Sequence, residues 1–242
     1  MPLITPPPPT LLHGASLFLD FDGTLVRIAD RPGDIRVEHR LLALLEELGS
    51  KLDGRLTVVS GRASADVLAW LHPLRLAVAG SHGLERPGMP MSRPPAFDEG
   101  LQHLRQVEAR HPGVLVEEKP TGAALHFRQA PEAEDECRTA AEHAAALAGL
   151  QVQPGKMVFE LKPASGDKGT AVRDIMNEPH HAGRRPIFIG DDLTDEHGFA
   201  MARGLGGAGI LVGEERTTAA IYRLADVPAV HDWLEGATET LS

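Results

Sequence analysis

The sequence predicts an α/β fold: a doubly wound, mostly parallel sheet interrupted by an inserted α+β module. Three observations carry this. Short apolar runs alternate with helical periodicities near both ends of the chain, helix–hairpin pairs replace that rhythm in the middle, and the first rhythm returns after Pro163. Residues 15–20 (ASLFLD) are an apolar run ending in an acid, the pattern of a strand buried on both faces. Val37, Leu41, Leu44, Leu45 and Leu48 recur at helical spacing over 37–49, with Gly49 where a helix would stop. LTVVSGR (56–62) reads as a second buried strand, 63–71 as a helix and LAVAG (76–80) as a third strand. The proline-rich PGMPMSRPP (87–95) reads as a linker. A helix is expected over 96–111, and VLVEEK (114–119) and AALHFR (123–128) form a hairpin about Pro120, Thr121 and Gly122. A long acidic, Ala-rich helix then runs from near Pro131 to near Gly149, and QVQPGKMVFELKP (151–163) forms a second hairpin. Beyond Pro163 the expected order is helix 167–177, strand PIFIGDD (186–192), helix 194–203 and strand GILVG (209–213), with helix for the rest. The expected domains are a flexible leader at 1–14, an α/β core from 15–96 with 164–242, and an inserted module at 97–163.

With 242 residues, the chain can build one sizeable core or a core plus a small second domain. Hydrophobic residues at 42% and charged residues at 24% exclude a disordered chain, and aromatics at 4% leave the core to Leu, Val, Ile and Ala. A net charge of −10 repels nucleic acid and anionic membranes on average, so neither is an expected partner. The single cysteine, Cys137, excludes an internal disulfide. The opening MPLITPPPPT lacks a basic region followed by an apolar stretch, and no window holds the eighteen or so apolar residues of a membrane span. A cytoplasmic monomer is the expectation. Pro6 to Pro9 read as an extended, mobile leader.

Ligands of doubly wound sheets bind beyond the carboxyl ends of the strands. There the sequence sets Asp20-Phe21-Asp22-Gly23-Thr24, Ser60-Gly61-Arg62 and Gly190-Asp191-Asp192. Taken singly, these acids read equally well as turn residues, and Ser60 more readily as a helix N-cap. Gathered at one crevice, the carboxylates would repel each other unless a cation joined them. Mg²⁺ is the hard, oxygen-seeking ion that suits carboxylates plus a phosphate. Lysine is scarce, with five residues against 19 arginines. Lys168 opens a helix, where its charge opposes the dipole, so it is expected to face an anion.

In order, DFDGTL (20–25), SGR (60–62), DKG (167–169) and GDDLTDE (190–196) resemble the four motifs of the haloacid dehalogenase-like phosphatases. SHGLE (81–85), VEEK with HFR nine residues on (116–128), and GKMVFELKP (155–163) resemble the trehalose-6-phosphate phosphatase branch. The resemblance runs from Leu17 to about Gly213. It departs at Ser81, where Asn is commoner, at Phe127 for Tyr and at Lys162 for Arg. It implies a haloacid dehalogenase-like core with a cap, acting on a small sugar phosphate. Asp20 would be the nucleophile and Asp22 the acid and base. Ser60 would donate to a phosphoryl oxygen, and Lys168 would neutralise charge. Mg²⁺ would be held by Asp20, the Asp22 carbonyl and Asp191, with Asp192 and Asp195 as further metal contacts. Glu117, Lys119, Arg128, Lys156 and Glu160 would meet the sugar from the cap, and Arg62 and His82 from the core. By spacing alone, the cap residues read as cross-strand ion pairs. The alternatives are a relative acting on sucrose phosphate or mannosyl-phosphoglycerate, and a non-catalytic sugar-phosphate sensor.

Overall fold

The computed structural model describes residues 5–28, 35–86, 96–119, 121–163 and 166–241. The linker expected at 87–95 lies outside them. The chain begins with β1 (Ala15–Leu19), α1 (His39–Lys51), β2 (Leu56–Val59), α2 (Ser64–Trp70) and β3 (Ala77–Ala79). It continues with α3 (Phe97–Arg110), β4 (Leu115–Lys119), β5 (Gly122–His126), α4 (Glu134–Ala148), β6 (Leu150–Gly155) and β7 (Val158–Pro163). It closes with α5 (Lys168–Met176), β8 (Arg185–Gly190), α6 (Glu196–Gly204), β9 (Ala208–Val212), β10 (Tyr222–Leu224) and α7 (Val227–Thr240). Residues 1–89 with 166–242 make one compact unit and 90–165 a second.

The first unit holds a parallel sheet in the order β10-β9-β8-β1-β2-β3. Successive residues of a strand point to opposite faces, so the central strands feed two helical layers. Leu17, Leu19, Ile187 and Ile189 join Leu45, Leu48, Val230 and Leu234 of α1 and α7. Phe18, Val59 and Phe188 join Val172 of α5 and Phe199 of α6. Burying each such side chain contributes about 1.5–3 kcal/mol, which is how strands this short are held. Strand order runs outward in both directions from the β1–β8 pair, so the crevice of a doubly wound sheet falls beyond Leu19 and Gly190.

Three expectations need correction here. Gly49 does not stop α1, which runs on to Lys51 with Gly49 buried against Leu76; the left-handed residues come later, at Asp53 (φ 51°) and Gly54 (φ 78°). The segment after β9 is not all helix, because β10 adds a parallel strand to β9. Three residues are too few to display a period. The proline-rich stretch is anchored. Trp233 Nε1 donates to the Pro7 carbonyl at 2.9 Å, Arg223 N donates to the Thr5 carbonyl at 3.1 Å, and Leu12 is fully buried. A proline run offers carbonyls and no N–H groups, so donors from the rest of the unit complete it.

The second unit is an antiparallel sheet in the order β4-β5-β7-β6. One face carries Ala123, Leu125, Phe159 and Leu161, which pack on Leu104 and Val107 of α3 and Cys137 and Ala141 of α4. By the period of two, the other face carries the row Glu117–Ala124–Glu160–Gln153. β5 ends two residues earlier than its apolar pattern suggests, because the chain turns at 127–130 with Ala130 N donating to the Phe127 carbonyl. Among the described residues, no helix is long and apolar enough to cross a membrane.

Candidate active site

Asp20 extends the β1–β8 ladder by one bond, its N–H donating to the Ile189 carbonyl at 2.9 Å. The chain then turns at Gly23, whose φ of +80° a side chain rarely adopts. A Cβ there would also fall 2.1 Å from Asp191 Oδ2, so glycine lets the Asp191 carboxylate approach the turn. At the end of β8, Asp195 folds back through a short 3₁₀ turn, and its Oδ2 accepts from the N–H groups of Asp191 and Asp192, both at 2.9 Å. Asp167 caps α5 by accepting from Thr170 N at 2.7 Å, while Thr170 Oγ1 accepts from Asp167 N at 2.9 Å. That box fixes the first turn of α5, which carries Lys168. The lysine is 3% exposed and donates to Asp20 Oδ1 and Asp195 Oδ1, each at 2.6 Å.

Asp20, Asp191 and Asp195 each offer an oxygen, and these lie within 4.8 Å of one another. Against one ammonium, three carboxylates leave two uncompensated negative charges when all are ionised. Burial raises the Asp20 pKa well above the usual carboxylate range; Lys168 opposes this and Asp195 and Asp191 add to it. Burial and the Asp195 charge push Asp191 up to about 6. Burial works against the Lys168 ammonium, but the two carboxylates outweigh it and hold its pKa above the ordinary lysine value. A cluster of oxygen donors with this charge deficit and this reluctance to ionise fits a hard divalent cation. A cleft of about 450 Å³ lined by Gly23, Arg27, Asp191, Gly213 and Arg216 opens beside it.

Asp22 lies outside the three-carboxylate group. Arg62 grips it at two points, Nε to Oδ2 at 2.5 Å and Nη2 to Oδ1 at 2.8 Å. Asp192 is exposed and caps its own turn through Leu193 N at 2.6 Å. Ser60 is fully buried, and its Oγ accepts from Arg62 N at 3.1 Å. His82 N donates to the Ser60 carbonyl and Ser81 N to the Arg62 carbonyl, which ties the ends of β2 and β3 together. A Cβ on Gly61 would lie 2.7 Å from the His82 ring, so the glycine of SGR makes room for that histidine.

In the second unit, Glu117, Lys119 and Glu160 share the polar sheet face, and Lys119 Nζ donates to Glu160 Oε1. Glu117 pairs with His126 at 2.9 Å. Arg128 and Lys156 do not join them. Lys119 sits at the β4–β5 turn, opposite Gly122, whereas Arg128 follows β5 at the other end of the hairpin. Phe127 N donates to the Met157 carbonyl, so Arg128 and Lys156 share that far end, both exposed. Arg128, expected inside the second strand of that hairpin, thus lies just past its end.

Sequence reasoning missed three supports. Glu85, 4% exposed, accepts from Ser81 Oγ and from Ser64 N and Oγ (2.8 and 2.5 Å), closing the SHGLE loop onto α2. Arg216 donates to the Asp191 and Asp192 carbonyls at 3.2 and 2.8 Å and to Glu196 at 2.5 Å, clamping the acidic loop. His126 stands on the polar face beside Glu117. The HFR match was a signal for His126 and SHGLE for Glu85; Arg216 had none.

A parallel sheet whose β1 ends in a buried aspartate, faced by a helix-borne lysine and the acids after β8, has the fold of a haloacid dehalogenase-like phosphatase. The sequence matches the trehalose-phosphatase family over residues 18–228, and the chain belongs to that family. It is 38% identical over 240 residues to the trehalose-6-phosphate phosphatase of Escherichia coli (strain K12), covering 96% of this chain and 90% of that protein. It is 38% identical over 211 residues to a probable trehalose-phosphate phosphatase of Sinorhizobium fredii (strain NBRC 101917 / NGR234), covering 84% and 80%. The crystal structure of a trehalose-6-phosphate phosphatase related protein superposes with a TM-score of 0.76 at 27% identity, covering 92% of this chain and 96% of that one.

Proposed function

We propose that this chain is a Mg²⁺-dependent phosphatase that hydrolyses trehalose 6-phosphate to trehalose and phosphate through an aspartyl-phosphate, in trehalose biosynthesis. The single observation that carries the reading is Asp20, buried at the sheet's rim with Oδ1 on the Lys168 ammonium and two more carboxylates within 4.8 Å. A carboxylate attacks a phosphate dianion only where its charge is offset. Asp20 and Asp191 would hold the ion with the Asp22 carbonyl, and Asp195 would orient Lys168 and the Asp191 loop. When bound, Mg²⁺ supplies positive charge against the repulsion between Asp20 and the phosphate.

An Asp20 oxygen forms a bond to phosphorus as the bond from phosphorus to the sugar oxygen breaks. Asp22 gives its proton to that leaving oxygen. Water then attacks phosphorus, Asp22 takes the water's proton, and the bond to Asp20 breaks to release phosphate. Positioned proton transfer of this kind is worth about 10²–10⁴-fold. Ser60 and Lys168 would steady the phosphoryl oxygens. Sugar selection would rest on Glu117 and Glu160, whose carboxylates accept pairs of hydroxyl hydrogen bonds, and on Lys119, whose ammonium donates to hydroxyl oxygens. Arg128, Lys156 and His82 are separate candidates.

Phosphate release from trehalose 6-phosphate, sucrose 6-phosphate, mannosyl-3-phosphoglycerate and glucose 6-phosphate, with and without chelator, tests the reading. Mg²⁺-dependent release with a clear preference for trehalose 6-phosphate is expected. Equal rates on all four would contradict the assigned specificity, and binding without release would favour a sensor.

A further inference from the structure

Arg62 sits one residue past the strand-end turn of β2, yet its guanidinium faces a carboxylate of the same unit. It meets both oxygens of Asp22, at 2.5 and 2.8 Å, in the two-point geometry that only the planar guanidinium fork provides. The fork is itself braced. Its central carbon lies 4.8 Å from the centre of the Trp70 ring, and Trp70 stacks on Phe21 at 5.8 Å with the planes 11° apart. Phe21 is fully buried between Asp20 and Asp22. The brace therefore runs from the buried Phe21, through Trp70 of α2, to Arg62 and back to Asp22. Arg62 and Asp22 keep side-chain exposures of only 21% and 30%, so bulk water screens the pair weakly. A single contact would leave the Asp22 carboxyl free to rotate about its last torsion; two contacts remove that freedom.

We infer that Arg62 is a positioning residue for Asp22: braced on Trp70, it fixes the carboxyl that exchanges the proton with the leaving oxygen and the attacking water. This rests on the phosphatase reading above, and it moves Arg62 out of the sugar-binding set. A misplacement of about 1 Å at a proton-transfer group can cost on the order of 10²-fold, and that cost should depend on the leaving group. A sugar alkoxide needs its proton as the bond to phosphorus breaks. A p-nitrophenolate leaves without one.

The test uses the full chain with Mg²⁺ and compares Arg62→Gln and Arg62→Lys with wild type. The quantity is kcat/KM, which reports phosphoryl transfer and not the later hydrolysis. For trehalose 6-phosphate, Arg62→Gln should lower it by about 10²-fold and Arg62→Lys by nearly as much, because a point charge cannot hold both oxygens. For p-nitrophenyl phosphate, the change should stay under about threefold. A second readout is trehalose 6-phosphate binding by calorimetry in an Asp20→Asn background, where adding Arg62→Gln should leave Kd within about twofold. Equal losses on both esters, or a Kd weakened as much as kcat/KM, would overturn the inference; the latter result would return Arg62 to sugar binding. Glucose 6-phosphate serves as a second alkyl ester. Wild-type activity on it but none on trehalose 6-phosphate would sink the substrate reading, while the contrast between alkyl and aryl esters would still decide the role of Arg62.

Discussion

The two units handle their charged groups in opposite ways. In the first, Asp20, Lys168 and Asp195 are all under 5% exposed and bonded in a fixed chain, and Asp195 meets two backbone N–H groups and an ammonium at once. In the second, Glu117 and His126 pair on an exposed face, and Lys119 and Glu160 sit half-buried on a sheet whose other side carries the core. Burial raises the cost of each unpaired charge and strengthens each pair, so the first arrangement is stiff and intolerant of change. The more exposed Glu117–His126 pair is worth about 0–1 kcal/mol and reforms with water or hydroxyl groups at little cost. Bond-making chemistry needs the first kind of site. Choosing among sugars needs donors and acceptors that can change partners.

Substitutions can break or sharpen this contrast. The largest effect is expected for Asp20→Asn, which should lower kcat by about 10⁴-fold or more with an unchanged circular dichroism spectrum. Substantial residual turnover would argue against a covalent route. Lys168→Met should remove activity and stability together. It leaves Asp20 and Asp195 buried without their cation, a loss of about 3–5 kcal/mol by denaturant titration; stability equal to wild type would mean that the buried chain is not what holds the site. On the polar sheet face, Glu160→Gln should raise KM for trehalose 6-phosphate by about tenfold, with kcat and p-nitrophenyl phosphate turnover nearly unchanged. A fall in kcat on both esters would erase the division of labour between the units.

pH gives a smaller and separate signature. The Asp191 pKa in the folded protein, about 6, lies above its ordinary value of 3.8. The folded state therefore holds the proton more tightly than the unfolded chain between those values. Stability of the metal-free protein should fall as pH rises from about 4 through about 6. Saturating Mg²⁺ should flatten or reverse that slope, and the thermal midpoint against pH, with and without chelator, reads both. A metal-free midpoint that climbs over that range would contradict the strained-acid picture. Smallest of all, Asp192→Ala should cost about 0.5–2 kcal/mol as a lost turn cap and change kcat less than twofold, as expected for an acid outside the cluster.

The contrast also explains what the sequence revealed. Strand ends were legible because Leu17, Phe18 and Leu19 stop at Asp20, and Ile187 to Ile189 stop just before Gly190 and Asp191; an unbroken apolar run that ends on acids leaves little choice. The role of Asp195 was less legible, because it depends on a 3₁₀ turn that swings the side chain back to two N–H groups four and three residues earlier in the chain. Arg62 looked like a substrate residue because nothing in SGR announces that Asp22, forty positions earlier, lies across from it. AALHFR places Arg128 on the strand next to that of Lys119, but the register pairs Lys119 with Gly122 at the turn, so Arg128 falls at the far end of the hairpin. The turn at 127–130 then ends the strand before Arg128. The anchored prolines depend on the Trp233 indole donor, 226 residues away in sequence.

The most direct test of the covalent claim loads the Asp22→Asn variant with ³²P-labelled p-nitrophenyl phosphate in the presence of Mg²⁺, quenches in acid within a single turnover and maps the labelled peptide. That substrate needs no proton to leave, while the variant lacks the base for the second step, so label should accumulate on the peptide containing Asp20 and disappear in Asp20→Asn. Phosphate released with no labelled protein, or label on any other residue, would contradict the account.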